Sequence, residues 1–560
     1  MDNYAIADKF SLLSKLMDIH GENSFKARIY GAAAFNIEKL PMQLADTPRE
    51  KISAIKGIGD STAKKISEML DTGELVILSE MIVKTPPGVI EMLNIKGIGP
   101  KKIQTIWKEM GIESIGELLY ACNENRLTLY KGFGGKTQQN VQEAIEFYQS
   151  QQGHFLYAEA EAIFPQIDGY LKKIFSADLV HVTGAYRRQS LTIEEMEFVV
   201  LENNDVIKPK FQTAQPPELL EEKEDTILYK LKNGLKLRLH TGKGKMDERL
   251  FNTSASEEFL SVFKKTFPSL KFTGKGNSDE SIFEQAKIPV IPPFLRETAA
   301  IIEKAKQKKL SVLIQPGDVK AIIHSHSKWS DGTNTLEEMA EECIKRGLEY
   351  LVISDHSKAA AYANGLTEER IREQHKQIDQ LNNQYKPFKI FKSIECDILG
   401  DGSMDYTNNI LSTFDLVIAS VHSNLKMNEE KAMTRLIRAI ENPYTTILGH
   451  PTGRLLLSRN GYPIDHKKII DACAANSVVI ELNAHPRRLD IDWKYIDYAI
   501  DKGVLISIDP DAHALEGYDD VKYGVLAAQK GGLTKEQNLS SFSLKQFENF
   551  LAERRKKKKI

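Results

Sequence analysis

KAIIHSHSKWSDG, residues 320–332, sets an apolar run directly ahead of two histidines and an aspartate. The same design recurs in EYLVISDH (349–356), KIFKSIECDI (389–398), DLVIASVH (415–422), TTILGHP (445–451), SVVIELNAHP (477–486) and GVLISIDPDAH (503–513). Each run is short and rich in β-branched residues, as in a strand of a parallel sheet covered on both faces. Amphipathic segments such as 336–346 alternate with the runs. Seven strands alternating with helices predict a distorted (βα)7 barrel over residues 316–560, and such folds place their chemistry at the C-terminal strand ends. Polar residues collect at those ends. Six of the 13 histidines lie there: His324, His326, His356, His422, His450 and His513. Asp331, Glu395 and Asp511 take equivalent positions. One histidine on a buried strand is ordinary packing, but nine convergent polar groups need charge partners or metal ions. Imidazole mixed with carboxylate suits Mn2+, Zn2+ or iron better than an all-oxygen Mg2+ site. His375 and His485 fall outside the pattern and read as structural.

Working outward, 560 residues at ~150 per domain imply three or four domains. Lys plus Arg number 75 against 77 Asp plus Glu, so any affinity for nucleic acid must come from local basic patches. The four cysteines, Cys122, Cys343, Cys396 and Cys473, contain no CxxC, which argues against a disulfide framework and fits a reducing cytoplasm. No secretory signal and no membrane-length apolar run is expected.

The first 150 residues read as helical, with Phe10, Leu13, Leu16 and Met17 at helical spacing. KGIGDSTAKKI begins at Lys56, KGIGPKKIQTI at Lys96, and a weaker KGFGGKTQQNV at Lys131. Gly57, Gly59, Gly97 and Gly99 allow unusual backbone angles and close approach of a ligand. Each loop opens a helix whose first N–H groups and dipole favour an anion. Lys64, Lys65, Lys101 and Lys102 add positive charge one turn later. A pair of glycine turns between packed helices is the alternative reading. In the middle, ADLVHVTGAYRRQSLTIEEMEFVV (177–200) reads as a strand ending at Gly184, a short helix with Arg187 and Arg188, and a second strand. The terminal RRKKKK (554–559) is expected to be a disordered basic tail.

The two strong loops resemble helix-hairpin-helix motifs, which hold DNA phosphates without reading sequence. Together with residues 177–200 they resemble the family X, polymerase beta-like, DNA polymerases. The resemblance implies an α+β nucleotidyltransferase palm and thumb, in which a Gly-Ser-x-Arg-Arg segment holds the triphosphate. An Asp-x-Asp pair and a third Asp would bind two Mg2+ ions. Here the Ser is Ala185, the paired acids are Glu195 and Glu197, and the third is Lys236. NTSASEEF, near Asn252, replaces a Thr-Gly-Ser segment, while IPPFLRE (291–297) matches the family's link to its C-terminal domain. An extra methylene displaces each carboxylate, and a lysine among divalent cations opposes binding, so the polymerase site is expected to be degenerate. Solvated charges on a palm retained as a DNA scaffold, or a variant metal site, are the two readings of the glutamates. By the same resemblance Lys65 stands at the family's Schiff-base lysine, with a phosphate contact as the alternative.

HSHSKWSDG, SDHS, SIECDIL, SVHS, GHPTGRLL and DPDAH are similar to motifs of the PHP (polymerase and histidinol phosphatase) domain attached to bacterial family X polymerases. The resemblance implies a trinuclear centre held by His324, His326, Asp331, His356, Glu395, His422, His450, Asp511 and His513. Ala321-Ile322-Ile323 replaces the usual Gly-Asp-Leu, removing an acid that could orient a ligand. Arg454 is a candidate phosphate clamp. Water activated by the metals would attack phosphorus, with no protein nucleophile.

The implied organisation is a lyase-like helical domain (1–80), a fingers-like one (81–150), palm and thumb (151–300), a linker (301–315) and the PHP domain (316–560). The implied activity is 3′-to-5′ exonuclease action on gapped or primer–template DNA in repair. A bifunctional polymerase and exonuclease, a small-molecule phosphatase and a non-enzymatic DNA scaffold are the rivals.

Overall fold

A computed structural model describes residues 1–38, 40, 42–150, 153–211, 216–272 and 278–560. The chain divides into two compact units: residues 1–123 with 130–148, and residues 124–129 with 149–560.

The first unit is helical. Its opening helix, Asn3–His20, starts where the Asp2 carboxylate accepts the Ala5 N–H and stops at Gly21, whose φ is +71°. Phe10, Leu13, Leu16 and Met17 are buried on one face, as their spacing predicts. Three glycine loops follow. Gly57, Gly97 and Gly132 have φ near +90°, where any side chain is strained. Gly59 and Gly99 have ordinary extended angles and cap the helices Asp60–Thr72 and Pro100–Lys108. Their role is therefore one of space, since a Cβ there would meet nothing within 4 Å. Between the glycines, Ile58, Ile98 and Phe133 are buried and pin each loop to the unit's core.

The second unit begins with the short pairing of β1 (Phe155–Leu156) and β3 (Thr192–Ile193). The main sheet of the middle region, where a palm is expected, contains β2 (Val180–Thr183), β4 (Glu195–Val200), β5 (Glu218–Lys223), β6 (Thr226–Lys230) and β7 (Lys236–His240), in the order β2-β4-β7-β6-β5. Only β4 and β7 run parallel. Met196, Phe198, Leu237 and Leu239 alternate inward, which leaves Glu195, Glu197, Lys236, Arg238 and His240 together on the opposite face. Beyond the palm, Phe251, Phe259, Phe263 and Phe283 form a separate aromatic core.

The C-terminal region holds eight parallel strands: β8 (Ala321–Ser325), β9 (Tyr350–Ile353), β10 (Lys389–Lys392), β11 (Glu395–Asp397), β12 (Val417–Ser420), β13 (Thr445–Leu448), β14 (Val479–Asn483) and β15 (Ile506–Asp509). Seven were expected. The eighth arises because KIFKSIECDI breaks at Ser393 and Ile394, giving β10 and β11 to different sheets. The ladders form a three-stranded sheet, β10-β9-β8, and a five-stranded sheet, β11-β12-β13-β14-β15. Isolated parallel bridges, Ser325 to Ala512 and His356 to Glu395, link strand ends across the two. One apolar layer lies between strands and helices, where Ile322, Leu351 and Ile480 meet Leu336, Met339 and Ile470. A second gathers Ala321, Ile323, Tyr350, Val352 and Ile447 around Phe547 and Leu551.

Phe547 and Leu551 belong to the terminal helix Leu544–Lys558, which corrects the expectation of a disordered tail. Arg554 is only 5% exposed and donates to the carbonyls of Ser477, Pro443 and Thr445. Arg555 donates to the Phe414 carbonyl and Lys557 to the Ser477 hydroxyl. Much of the basic run thus holds loop ends together. Residues 300–306, partly expected as linker, form the helix Ala300–Lys306. Among the described residues, no helix is long and apolar enough to cross a membrane.

Candidate metal centre

All nine histidines and acids singled out at strand ends converge on one place. Three groups fall within ligand distance of one another: His326, Asp331, His356 and His513; His324, His326, Glu395 and Asp511; His356, Glu395 and His422. Glu395 is central. Its Oε1 lies 2.9 Å from His450 Nε2, 3.0 Å from His422 Nε2 and 3.2 Å from His324 Nε2, and its Oε2 lies 2.9 Å from His356 Nδ1. A carboxylate with two oxygens among four imidazoles is suited to bridging two cations.

The backbone turns some of these groups inward. By simple alternation His324 would follow Ile323 to the other face of β8. Instead the ladder shifts register between Ile322 and Ser325, and His324 takes φ +59°. His450 (φ +21°) and Asp511 (φ +52°) share this left-handed region. Such conformations cost ~1 kcal/mol or more each and persist where the surroundings enforce them.

The buried atoms fit metal ions. His324 Nε2, His326 Nδ1, His356 Nδ1, His450 Nδ1, His513 Nε2, Asp331 Oδ2 and Glu395 Oε2 are buried without a well-formed hydrogen bond among the described residues. Leaving so many polar atoms unsatisfied would cost a few kcal/mol each unless cations take them. Burial alone would favour the neutral acids, yet the imidazoles around Glu395 and Asp511 hold both carboxyls well below the usual range. His326 is pushed down to about 4, by burial and then by His513 and His356, so its ring is neutral, as a metal ligand must be.

An outer layer orients these groups. His324 Nδ1 meets Glu481 Oε2 at 2.7 Å, His422 Nδ1 meets Asp397 Oδ1 at 3.0 Å, and Asn483 donates to Asp511 Oδ2 at 3.0 Å. Burial and then neighbouring Glu481 push the Asp509 carboxyl up. Asp355 accepts from the Ser327 N–H and hydroxyl, from Ser330 and from Gln374, fixing the loop that carries Asp331. Glu481, Asp397, Asp355 and Asp509 were not singled out from sequence, although each is an acid inside an apolar strand run, the signal that could have found them. Ile322, where the resemblance would place an acid, packs in the outer apolar layer, and Glu481 holds His324 instead.

Arg454 sits differently from its expected role as a phosphate clamp. Its Nη1 pairs with Asp492 at 2.6 Å, while Nε and Nη2 donate to the Arg488 and Leu489 carbonyls, so it ties down residues 488–492. His375 stacks edge-on against Phe414, and His485 accepts the Arg487 N–H through Nδ1; neither joins the cluster.

The palm residues are already paired. Arg238 holds Glu195 through two nitrogens, at 2.5 and 3.0 Å, and His240 Nε2 lies 2.9 Å from Glu197. Glu195 is thus in an ion pair and Glu197 in a hydrogen bond with an imidazole. Lys236 lies opposite Glu195 in register, but Arg238 makes the contact. Glu197 Oε1 also accepts the Ala185 N–H, and a Cβ on Gly184 (φ +64°) would fall 1.9 Å from that oxygen. Arg187, in the segment that in the resembled family holds the triphosphate, pairs with buried Asp279 at 2.8 Å and donates to Ser254; Arg188 faces Glu297 at 3.6 Å. Asp279 is shared with fully buried Arg296 from IPPFLRE. Burial pushes the Asp279 carboxyl up, but Arg296 and Arg187 prevail and hold it at about 2.

In the first unit, Lys64 and Lys101 are exposed and Lys65 and Lys102 half-buried, each on the first turns of a helix opened by a glycine loop.

Comparison with known families matches residues 1–75 to a helix-hairpin-helix domain, residues 89–146 to a SAM-like helix-hairpin-helix tandem and residues 323–485 to the PHP domain. The chain is 32% identical over 571 residues to the DNA polymerase/3′-5′ exonuclease PolX of Bacillus subtilis (strain 168), covering 96% of each protein. It is also 26% identical over 245 residues to a probable phosphatase of Thermoanaerobacter sp. (strain X514), covering 42% of this chain and 95% of that one. A probable phosphatase of Caldanaerobacter subterraneus is 28% identical over 170 residues, 29% of this chain and 60% of that protein. Helix-hairpin-helix modules, a palm-like sheet and a PHP domain in this order, with similarity running along nearly the whole length, establish that the chain belongs to the PolX family of family X DNA polymerases with a C-terminal PHP domain.

Proposed function

We propose that this protein is a metal-dependent DNA phosphodiesterase, acting in the cytoplasm as a 3′-to-5′ exonuclease of DNA repair, whose palm no longer polymerises. The observation that carries the reading is the convergence of nine histidines and acids, seven of them with a buried, unsatisfied atom among the described residues. On this reading the two sheets form the wall of a distorted barrel, and the domain limits are 1–80, 81–150, 151–300, 301–315 and 316–560.

The nine groups would hold Mn2+, Zn2+ or iron. Such ions, when bound, neutralise phosphoryl charge and acidify water near neutral pH. The chain's own groups prepare for this. Glu481 and Asp397 fix the rings of His324 and His422, and Asn483 fixes the Asp511 carboxylate. Asp355 holds the 327–331 loop, so Asp331 faces His356 and His513 at 3.6 Å. Lys64, Lys65, Lys101 and Lys102, with Gly57, Gly59, Gly97 and Gly99, would hold gapped or primer–template DNA by its phosphates. Lys65 is read as one of these phosphate contacts.

A polymerase that retains activity is the second reading, favoured by the name of the Bacillus subtilis relative. Against it stand the Glu195–Arg238 and Glu197–His240 pairs and the capture of Arg187 by Asp279. One assay separates the readings: a 5′-labelled, gapped primer–template with Mn2+ and all four deoxynucleotides. Stepwise shortening from the 3′ end that is lost in the His324→Ala, His326→Ala double variant is the expected result. Primer extension would mean that the glutamates still serve polymerisation, and shortening that survives the double variant would remove the cluster as its source.

A further inference from the structure

Residues 124–129 group with the second unit, although the chain on either side belongs to the first. Their charged side chains extend a ring of groups around the histidine cluster. Glu124 and Arg126 are 12% and 20% exposed and lie 3.6 Å apart. Glu124 Oε1 is 3.8 Å from Arg488 Nη2, and Arg488 Nε is 3.7 Å from Oδ2 of the candidate ligand Asp511. On the other side, the Arg126 guanidinium carbon lies 4.3 Å from the centre of the Tyr362 ring, which packs 6.4 Å from the His356 ring. Tyr362 thus touches both the segment, through Arg126, and the cluster, through His356.

A guanidinium one aromatic ring away from a centre built to collect cations is an arrangement that becomes favourable when a polyanion binds across both. Stacking on Tyr362 uses the face of the guanidinium, whereas binding a phosphate uses its edge, so the two coexist. Arg454, the arginine singled out from sequence for this role, is occupied by Asp492 and two carbonyls.

We propose that residues 124–129 form one wall of the hydrolytic site, and that Arg126 contacts a backbone phosphate flanking the one presented to the cluster, favouring polynucleotides over isolated phosphate esters. The inference rests on the hydrolytic function proposed above. Glu124 and Arg488 hold the wall in place, and Tyr362 supplies the platform.

The test compares full-length protein with Arg126→Met and Arg126→Lys, in Mn2+, on single-stranded oligothymidylate and on bis(p-nitrophenyl) phosphate, which has no flanking phosphate. In Arg126→Met the ratio of kcat/KM for DNA to kcat/KM for the small diester is expected to fall about tenfold. The slope of log kcat/KM for DNA against log salt should become shallower by about 0.7, the increment for one phosphate contact on a single strand. Arg126→Lys keeps the charge, so its salt slope should match the parent while the ratio falls by a smaller factor. An unchanged ratio and slope in Arg126→Met, with both substrates cleaved by the parent, overturns this inference alone. If the parent cleaves neither substrate, the hydrolytic reading falls and takes this one with it.

Discussion

Replacing Glu395 by glutamine tests the metal centre with little change of shape. Glu395 belongs to two of the three ligand groups, and its oxygens lie 2.9–3.2 Å from four imidazole nitrogens. An amide has one weaker acceptor and no charge, so the group of His356 and His422 loses its anion and the group of His324 and His326 keeps only Asp511. Occupancy of one site at a hundredfold excess over its Kd adds about 2.7 kcal/mol to stability. In a domain of this size 1 kcal/mol moves the unfolding midpoint by about 2–4 °C. Stripping a single ion from the parent with EDTA should therefore lower the midpoint by about 5–11 °C, and stripping more ions should lower it further. Trp329 reports on this transition, because its backbone N–H donates to the Ser327 hydroxyl beside the ligand loop and its indole N–H donates to Gln377. The assay is fluorescence-monitored unfolding with and without EDTA, with Mn2+ added back, alongside elemental analysis. In Glu395→Gln the EDTA-sensitive shift should shrink by more than half and DNA hydrolysis should be lost. A parent whose midpoint moves by less than about 1 °C on chelation, or a Glu395→Gln protein that binds as much metal as the parent, would refute the reasoning.

Asp279→Asn should destabilise the second unit by about 3–5 kcal/mol at pH 7, since it leaves Arg296 and Arg187 uncompensated in a buried site; urea unfolding measures this. The Asp279 carboxyl titrates lower folded, at about 2, than unfolded, so its contribution of about 2.5 kcal/mol is present above pH 4 and lost as the pH falls toward 2. The acid-unfolding curve of the asparagine variant should be correspondingly flatter over that interval. Replacing Lys64, Lys65, Lys101 and Lys102 by alanine should make log Kd for duplex DNA less steep in log salt, by about 0.9 for each lost phosphate contact, with no change in sequence preference; an unchanged slope would deny these loops a role in binding. Arg554→Ala removes a buried guanidinium that serves three carbonyls and should cost about 2 kcal/mol or more in thermal unfolding, whereas a dispensable tail would show no change.

Much of this protein could be read directly from its sequence, because the signals concerned are local. Apolar runs ending in histidine mark strand ends whatever lies elsewhere in the chain, and all nine groups so marked do converge. The lysine-glycine loops are equally local, since a φ near +90° at Gly57 and Gly97 is a property of three or four residues. The sequence reading went astray where partners are distant. Arg187 meets Asp279, 92 residues away, and Arg238 meets Glu195 across 43, so an arginine at the family's triphosphate position and a glutamate read as a solvated charge or a variant metal ligand are both in ion pairs. The same holds for the terminal basic run, which reads as solvated until Arg554 is seen to find carbonyls 77 to 111 residues earlier. Glu481 behind His324 and Arg126 over Tyr362 depend likewise on how strands and loops meet. Periodicity and turn chemistry act over a few residues and therefore determine elements and their polar ends. The neutralising partner of a buried charge is chosen by strand register and packing, which exist only in the folded chain.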